Sequence, residues 1–174
     1  MENYTKESVT EVTDDKYQPF GDYCPTNVLQ MRVNVGTNCR NIVDYSVKNW
    51  MVNDNERHIV FTGSDRACNK VITCAELVKR KFDNKTKTSL YQMTIIGHKT
   101  VEELWKPKDN TLDVIKVIRQ IPRIDILLCK DQLDVSVPGV QHKESNVYDD
   151  VHKVANKSPQ NRNSRHIKQK HQKS

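Results

Sequence analysis

Long hydrophobic runs are missing from this 174-residue chain. The longest are only a few residues, as at residues 126–129, whereas a membrane helix needs roughly 20 apolar residues in succession. Residues 1–7 carry two acids where a secretory signal peptide has a basic and then an apolar stretch. We therefore expect neither a membrane protein nor a secreted one.

The chain also lacks the short motifs that accompany catalysis, nucleotide binding and metal binding. It has no G-x-S-x-G, no G-x-x-x-x-G-K-[ST] and no G-x-G-x-x-G. Its five cysteines form no C-x-x-C pair and its six histidines no H-E-x-x-H pair, which disfavours a disulfide framework and a zinc site and favours a reducing compartment. Cys39 and Cys74 fall on apolar helix faces and are interpreted as core residues rather than reactive thiols. We expect no catalytic residue, no cofactor and no metal.

Charge is present in excess and is unevenly spread. Lys and Arg number 28 against 22 Asp and Glu, a net charge of +6. Residues 1–30 carry −4, residues 31–140 carry +5 and residues 141–174 carry +5. An acidic leader, a basic body and a strongly basic tail favour a polyanionic partner.

Hydrophobicity divides the chain into three parts. Apolar residues make up 36% of the sequence and are concentrated between about residues 28 and 130. The two ends bury too little apolar surface to offset the entropy of ordering them. We predict a disordered acidic leader at 1–26, one domain at 27–141 and a disordered basic tail at 142–174.

Within the central domain, hydrophobic periodicity predicts alternating strands and helices. Strands are expected at residues 29–35, 58–61, 90–99 and 124–128, and helices at 39–52, at 64–82 and, as a short piece, at 113–120. The second helix has a predicted buried face, namely Ala67, Val71, Cys74, Ala75, Val78 and Phe82. The alternation predicts an α/β fold, a two-layer sandwich whose small mixed sheet carries two helices on one face.

Basic residues recur at the starts of the two main predicted helices. Arg40 lies in the first turn of the first helix, and Arg66 and Lys70 lie in the first turns of the second, where backbone N–H groups favour an anion. Both helix starts follow strand ends, so we expect them to meet at one sheet edge. A phosphate-binding cradle and a solvated charged face have about equal support from this spacing.

Aromatic residues are scarce, at 6% of the chain. Trp50, Phe61 and Phe82 fall on predicted core faces, which leaves few rings on which unpaired bases could stack. The expected polyanion is therefore duplex or folded RNA, recognised through its backbone and shape. For the basic tail, weak RNA affinity, nuclear localisation and solubility are alternatives that can hold together.

Several stretches resemble the motifs of a known family. Residues 35–42, V-G-T-N-C-R-N-I, are similar to its G-x-[KN]-x-[RK]-N stretch, and residues 61–70, F-T-G-S-D-R-A-C-N-K, to its F-x-G-x-x-R-A-x-x-K. Residues 73–81 continue this match, and residues 126–141 resemble the family's last strand and exit segment. Together the motifs resemble Alba-like proteins over about residues 28–141, and among them the larger Alba-like subunit of eukaryotic ribonuclease P and ribonuclease MRP.

The resemblance implies a fold and a function. The Alba-like fold is β-α-β-α-β-β, with a mixed four-stranded sheet and two helices on one face. The family subunit is not catalytic, and it pairs with a smaller Alba-like subunit to grip a helix–internal loop–helix element of the RNA. The holoenzymes process precursor tRNA 5′ ends and precursor rRNA in the nucleus and nucleolus. We thus expect an RNA-binding subunit whose partners are ribonuclease P or MRP RNA, the smaller Alba-like subunit and other ribonucleoprotein subunits.

Residues that match the motif positions form the predicted RNA-binding site. They are Gly36, Thr37, Asn38, Arg40, Asn41, Gly63, Ser64, Arg66 and Lys70, with Lys79, Arg80 and Lys81 extending the track. The chain departs from the family at Asn38, where many relatives have a lysine that is acetylated in archaea, so the same regulation is not implied here. It departs again at Asp65, where glycine is common. That acid weakens the local positive potential, caps the second helix or holds Arg66.

Other functions stay open at this point. An Alba-like protein of messenger ribonucleoprotein particles or chromatin would bind nucleic acids broadly, although such relatives often carry Arg-Gly-rich tails and this tail has no Arg-Gly dipeptide. An enzyme has minimal support, and an interaction-only module is the third alternative. The dimer face is open as well, because the apolar candidates Leu77, Leu90 and Met93 could equally be core residues.

Overall fold

The computed structural model describes residues 2–12, 18–109 and 111–143. The basic tail predicted from residue 142 onward lies outside the described residues beyond Lys143. The elements are, in chain order, β1 Tyr4–Val12, a 3₁₀ turn Gly21–Tyr23, β2 Leu29–Arg32, α1 Cys39–Ser46 with a π-helical continuation Val47–Met51, β3 His58–Ser64, a 3₁₀ turn Asp65–Ala67, α2 Cys68–Thr86, β4 Tyr91–Pro107, β5 Ile115–Cys129 and β6 Val140–Gln141.

The six described strands form one mixed sheet, in the order β1-β4-β5-β3-β2 with β6 beside β4. Strands β2 and β3 run parallel, so their carboxyl ends share one edge of the sheet, and the other pairs are antiparallel. The order β2-α1-β3-α2-β4-β5 is the one implied by the family resemblance, and β1 and β6 are additions to its four strands. The expected mixed sheet with two helices is thereby confirmed.

Both helices pack against one face of this sheet. Trp50, Val71 and Val78 from the helical layer form a core cluster with Phe61 of β3 and Leu128 of β5. Burying an apolar side chain of this size contributes about 1.5–3 kcal/mol, so this cluster is a main source of the domain's stability. The predicted buried face of α2 is confirmed at every position. None of the described helices combines the length and apolar composition that a membrane crossing needs.

Within the described residues, no α-helix packs on the opposite face of the sheet. A second buried cluster lies there and includes Phe20, from the segment before β2, Leu133, from the loop after β5, and Val140 of β6. Their partners on the sheet include Val60 and Leu127. Residues before β2 therefore contribute to the core, which a disordered leader would not do.

The short helix predicted at 113–120 is wrong, because β5 already begins at Ile115. The segment pairs with β4 in antiparallel register, with Ile115 opposite Trp105. Its β-branched side chains favour an extended backbone. The pairing is reinforced across the strands by an ion pair between Arg119 and Glu103 at 2.9 Å.

The leader predicted to be disordered at 1–26 contains a strand and a 3₁₀ turn in the structure. Strand β1 pairs with the outer half of β4, and side chains of opposite charge meet across the pair. Glu11 contacts Lys99 at 3.1 Å, and Lys6 contacts Glu103 at 2.6 Å. Charged residues of the predicted leader therefore have partners on β4, and the folded unit includes β1.

Candidate nucleic-acid interface

The carboxyl ends of β2 and β3 lie side by side, and a helix starts after each of them. The backbone N–H of Val33 donates to the carbonyl oxygen of Thr62 at 2.8 Å, which holds the two strand exits together. The chain then turns into α1 after β2 and, through a 3₁₀ turn, into α2 after β3. The prediction that both helix starts meet at one sheet edge is confirmed.

Short polar side chains hold the turn before α1. The Thr37 hydroxyl accepts a hydrogen bond from the N–H of Asn34 at 2.9 Å, and the Asn38 side-chain oxygen accepts one from the N–H of Arg40 at 2.9 Å. Asn38 is thus the N-cap of α1, a contribution of about 1 kcal/mol to the helix. A Cβ on Gly36 would meet no atom within 4 Å, so packing does not require glycine there.

The turn before α2 depends on a glycine and on a left-handed residue. A Cβ on Gly63 would lie 2.5 Å from Val71 Cγ2 and 2.9 Å from the carbonyl oxygen of Val33, so glycine alone permits this close approach. Asp65 has a φ of 55°, a conformation that favours glycine and that Asp tolerates better than most residues. The predicted cap of α2 by Ser64 or Asp65 is wrong, because the start of α2 has no side-chain cap hydrogen bond.

Lys70 joins the two turns. From the beginning of α2 its ammonium group donates to the carbonyl oxygen of Thr37 at 2.9 Å and to that of Val35. Both acceptors belong to the turn before α1, so this side chain fixes the position of one helix start relative to the other. A lysine has three donors, and one is left for a phosphate. Lys70 therefore has a structural role in addition to its predicted RNA contact.

Three arginines of the predicted set are exposed and have no ion pair or side-chain hydrogen bond within the described part of the chain. They are Arg40 and Arg66, next to the two helix starts, and Arg80 further along α2. Arg66 makes no ion pair with the neighbouring Asp65, so the prediction that this acid holds it is wrong. A cation near a helix N-terminus opposes the helix dipole, and a bound phosphate would relieve this cost. Guanidinium groups also match phosphate oxygens in a bidentate geometry.

The two lysines of the predicted track, by contrast, have acidic partners. Lys79 contacts Glu76 at 2.5 Å, and Lys81 contacts Asp44 of α1 at 3.0 Å. Surface pairs of this kind contribute only about 0–1 kcal/mol. Because exchanging such a partner costs little, both lysines can turn to a phosphate, but they add less positive potential than the unpaired arginines.

Two polar members of the predicted set complete the edge. Asn41 is exposed in the first turn of α1, and Ser64 is half-buried at the end of β3. Their side chains have no hydrogen-bond partner among the described residues. The structure thus brings the turn residues together, while residues 79–81 lie about 15 Å further along α2, at 1.5 Å of rise per residue.

A second group of bases, absent from the predicted site, lies at the same edge on the helix-free face of the sheet. Arg32 of β2, Lys99 of β4 and Arg123 of β5 line a cleft of about 170 Å³. Lys99 contacts Glu11 at 3.1 Å and Arg123 contacts Asp125 at 3.0 Å, whereas Arg32 is exposed and unpaired within the described ranges. A polar residue at every second position is typical of any half-buried strand, so nothing in the sequence distinguished these bases.

The thiol on the buried face of α2 below the site is chemically unreactive. Cys74 lies one turn beyond Lys70 and is fully buried. Burial, with a smaller contribution from a hydrogen bond to Cys39, raises the pKa of the Cys74 thiol to about 12. The interpretation of Cys74 as a core residue is confirmed.

The sheet edge where the two helices begin thus offers cationic side chains, helix N–H groups and small polar side chains, which is the chemistry of anion binding.

Comparisons with known proteins agree with this chemistry. The Alba family model matches residues 29–100, which include β2, β3, both turns and both helices. The chain is 34% identical over 143 residues to the ribonuclease P protein subunit p25-like protein of Bos taurus, an alignment that covers 81% of this chain and 82% of that protein. It is also 34% identical over 133 residues to the human ribonuclease P protein subunit p25, covering 71% of this chain and 63% of that protein.

A weaker match has a broader description. The DNA/RNA-binding protein ALBA1 of Plasmodium falciparum is 27% identical over 118 residues, which cover 67% of this chain and 45% of that protein. The match to the p25-like protein is stronger, since it spans about four-fifths of both chains. By fold, motif and sequence, this chain belongs to the Alba family and is a relative of the ribonuclease P protein subunits p25-like and p25.

Proposed function

We propose that this chain is a non-catalytic RNA-binding subunit of ribonuclease P and ribonuclease MRP. As one half of an Alba heterodimer it grips and stabilises a helical internal-loop element of the RNA component. In this way it supports 5′ processing of precursor tRNA and processing of precursor rRNA, in the nucleus and nucleolus. The relatives that carry this proposal are named as ribonuclease P protein subunits.

One structural observation supports RNA binding most directly. Two helix starts lie at one sheet edge with Arg40 and Arg66 exposed and unpaired within the described residues. Lys70 fixes the spacing between these starts by binding backbone carbonyls of the neighbouring turn. Because the two helix starts are already fixed relative to each other, binding two phosphates at Arg40 and Arg66 does not require the entropy loss of ordering flexible loops. A rigid site of this kind suits a subunit that holds RNA in one fold.

The direction of the basic track fits a folded RNA. From the edge, bases continue in two directions, along α2 to Arg80 and around the sheet to Arg32. Because phosphates dominate protein–nucleic acid affinity, such a track supplies binding energy with little sequence preference. Recognition then depends on whether the RNA places its phosphates along both directions at once, which a bent internal loop does more readily than a straight duplex.

The proposed partner is the smaller Alba-like subunit, and one flank of α2 provides a surface for it. Ile72 of α2 is 44% exposed and Ile96 of β4 is 78% exposed. Cys68, one turn before Ile72, lies 3.8 Å from the carbonyl oxygen of Pro122 on β5, so this flank of α2 faces the β4–β5 side of the sheet. Large apolar side chains exposed on one flank are typical of a surface that another chain covers.

The earlier candidates for this face are less suitable. Leu90 and Met93 are buried in the two core clusters, and Leu77 is half-buried against the helix-side cluster. Ile96→Glu therefore provides the better test, because it places a charge in the proposed interface and leaves the core intact. We expect size-exclusion chromatography with mass measurement to show loss of the heterodimer with an unchanged melting temperature of the free chain. An Ile96→Glu chain that still pairs normally would remove this face from the proposal.

The main alternative is an Alba-like protein of messenger ribonucleoprotein particles or chromatin. The relative named DNA/RNA-binding protein ALBA1 favours it, at lower identity. Sequencing the RNA that copurifies with the tagged chain separates the two. Dominance by two abundant noncoding RNAs, the ribonuclease P and MRP RNAs, supports the first proposal, whereas broad recovery of messenger RNAs supports the alternative.

A further inference from the structure

A second cluster of potential ligands lies at the end of the sheet that is opposite the basic edge. His58 begins β3, Cys129 ends β5, and the two are direct cross-strand neighbours. Asp131 follows β5 by two residues. An imidazole nitrogen, a thiol sulfur and a carboxylate oxygen from these three residues lie within 4.8 Å of one another. Three donor types that metals use therefore converge on one place.

The carboxylate of Asp131 is already oriented by a neighbour. Arg57 donates to it twice, from Nε at 2.9 Å and from Nη2, and both bonds go to the same oxygen, Oδ1. The second oxygen, Oδ2, accepts no hydrogen bond from any described residue. Ligands of bound metals are commonly held in place by such outer hydrogen bonds. The positive charge of Arg57 is neutralised by this carboxylate, so no unpaired guanidinium lies beside the cluster.

The sulfur of Cys129 is positioned as well. It accepts a hydrogen bond from the backbone N–H of Asp131 at 3.2 Å. Burial raises the pKa of the Cys129 thiol to about 11, and this hydrogen bond opposes only part of that rise. Cys129 has 0% exposure, and its side chain belongs to the core cluster on the helix-free face. A metal bound to this sulfur would be shielded from solvent on the protein side and open toward Asp131.

We propose that His58, Cys129 and Asp131 bind one zinc ion. Nitrogen, sulfur and oxygen donors in one site are the set that zinc accepts, in tetrahedral geometry with bonds of about 2.0–2.3 Å. Tetrahedral bonds of that length place ligand atoms about 3.3–3.8 Å apart, so atoms that now lie within 4.8 Å of one another have to close by at most about 1.0–1.5 Å. Zinc replaces the thiol proton of Cys129, which leaves to solvent, and water fills the fourth position.

The proposed ion has a structural role. It ties the start of β3 to the chain leaving β5, and that chain supplies Leu133 and Val140 to the cover of the helix-free face. The sequence disfavoured zinc because its cysteines form no C-x-x-C pair and its histidines no H-E-x-x-H pair. The antiparallel pairing of β3 with β5 brings residues 58, 129 and 131 together. This site is independent of the proposed RNA function.

The test uses the full chain, stripped of metal and titrated with zinc chloride, with native mass spectrometry for stoichiometry and calorimetry for affinity. We expect one ion per chain, a higher melting temperature with zinc, and at least a tenfold weaker affinity in His58→Gln and in Asp131→Ala. His98→Gln and Asp134→Ala are matched controls that should bind as the unsubstituted chain does. The Asp131 side chain is 48% exposed, so its variant keeps the test valid even if changes at Cys129 impair folding.

Cobalt(II) gives an independent readout of the sulfur ligand. The cobalt-loaded chain should show the near-ultraviolet charge-transfer band of a cobalt–thiolate bond. Cys68→Ser should retain that band and Cys129→Ser should lose it. Absence of stoichiometric zinc binding by the unsubstituted chain, or equal affinity in Asp131→Ala and Asp134→Ala, would overturn the proposal.

Discussion

Gly63→Ala tests whether the turn before α2 requires the close approach seen in the structure. The new Cβ would lie 2.5 Å from Val71 Cγ2 and 2.9 Å from the carbonyl oxygen of Val33. Non-bonded carbon atoms prefer about 3.5–4.0 Å, so the Val71 methyl would have to move by about 1 Å. Val71 has 0% exposure and a β-branched side chain restricted to one rotamer in a helix, and the second contact is backbone. Neither the Val71 methyl nor the Val33 carbonyl can therefore move away without a loss of stability.

The expected cost follows from two opposing effects. Overpacking of this kind destabilises by about 1–3 kcal/mol. Ala in place of Gly stabilises by about 0.4–1 kcal/mol through the unfolded chain, since Gly63 does not have a positive φ. The net loss is about 1–2 kcal/mol, or roughly 3–10 °C in melting temperature for a domain of this size.

Gly36→Ala is the matched control, because a Cβ there meets no atom within 4 Å. Its stability should stay within about 0.5 kcal/mol of the unsubstituted chain. Thermal unfolding followed by circular dichroism measures both variants. A Gly63→Ala chain with the same melting temperature as Gly36→Ala would refute the packing argument for this turn.

Three further predictions address the site and the sheet. Asp65→Gly should change the free energy of unfolding by less than about 1 kcal/mol, because glycine suits the φ of 55°. It should tighten RNA binding at fixed salt, because it removes an acid beside Arg66, and fluorescence anisotropy measures this affinity. The ammonium of Lys6, with Trp105 and Arg119, lowers the pKa of the Glu103 carboxyl. The contribution of Glu103 to stability is therefore present above about pH 4.3, the usual unfolded value, and is lost as the pH falls through the folded pKa. The melting temperature of Glu103→Gln should accordingly change less between pH 5 and about pH 3 than that of the unsubstituted chain. A thiol pKa of about 12 leaves Cys74 about one part in ten thousand ionised at pH 8, so iodoacetamide should modify it in urea but not in the native chain, as peptide mass mapping would show.

Local patterns predicted the helical layer well. The buried face of α2 was predictable because a 3.6-residue period places residues such as Val71 and Val78 on one side, whatever they pack against. The parallel pairing of β2 and β3 was predictable because a strand–helix–strand unit closes in that way. The position of Arg40 and Arg66 at one edge follows from these two facts.

The features that were predicted wrongly or not at all depend on contacts between residues far apart in the chain. Residues 113–120 have apolar positions that fit both a helix and a strand, and only the opposite strand β4 decides between them. Strand β1 likewise depends on partners about ninety residues away, such as Lys99 and Glu103. The carbonyl acceptors of Lys70 lie 33 and 35 residues away in the chain, and the Arg32 cleft joins β2 to residues of β4 and β5. Each of these features needs a neighbour whose identity is absent from the local sequence.

Arg40 and Arg66 are proposed to hold phosphates at the edge where the two helices begin. The most direct measurement is the salt dependence of binding to a helix–internal loop–helix RNA, for the Arg40→Ala, Arg66→Ala double variant and for Lys48→Ala as an exposed control away from this edge. We expect the log–log slope of the double variant to fall by about 1.4–1.8 units, at about 0.7–0.9 for each lost contact, and Lys48→Ala to keep the slope of the unsubstituted chain. A double variant whose slope is unchanged, or falls no more than that of Lys48→Ala, would contradict the claim.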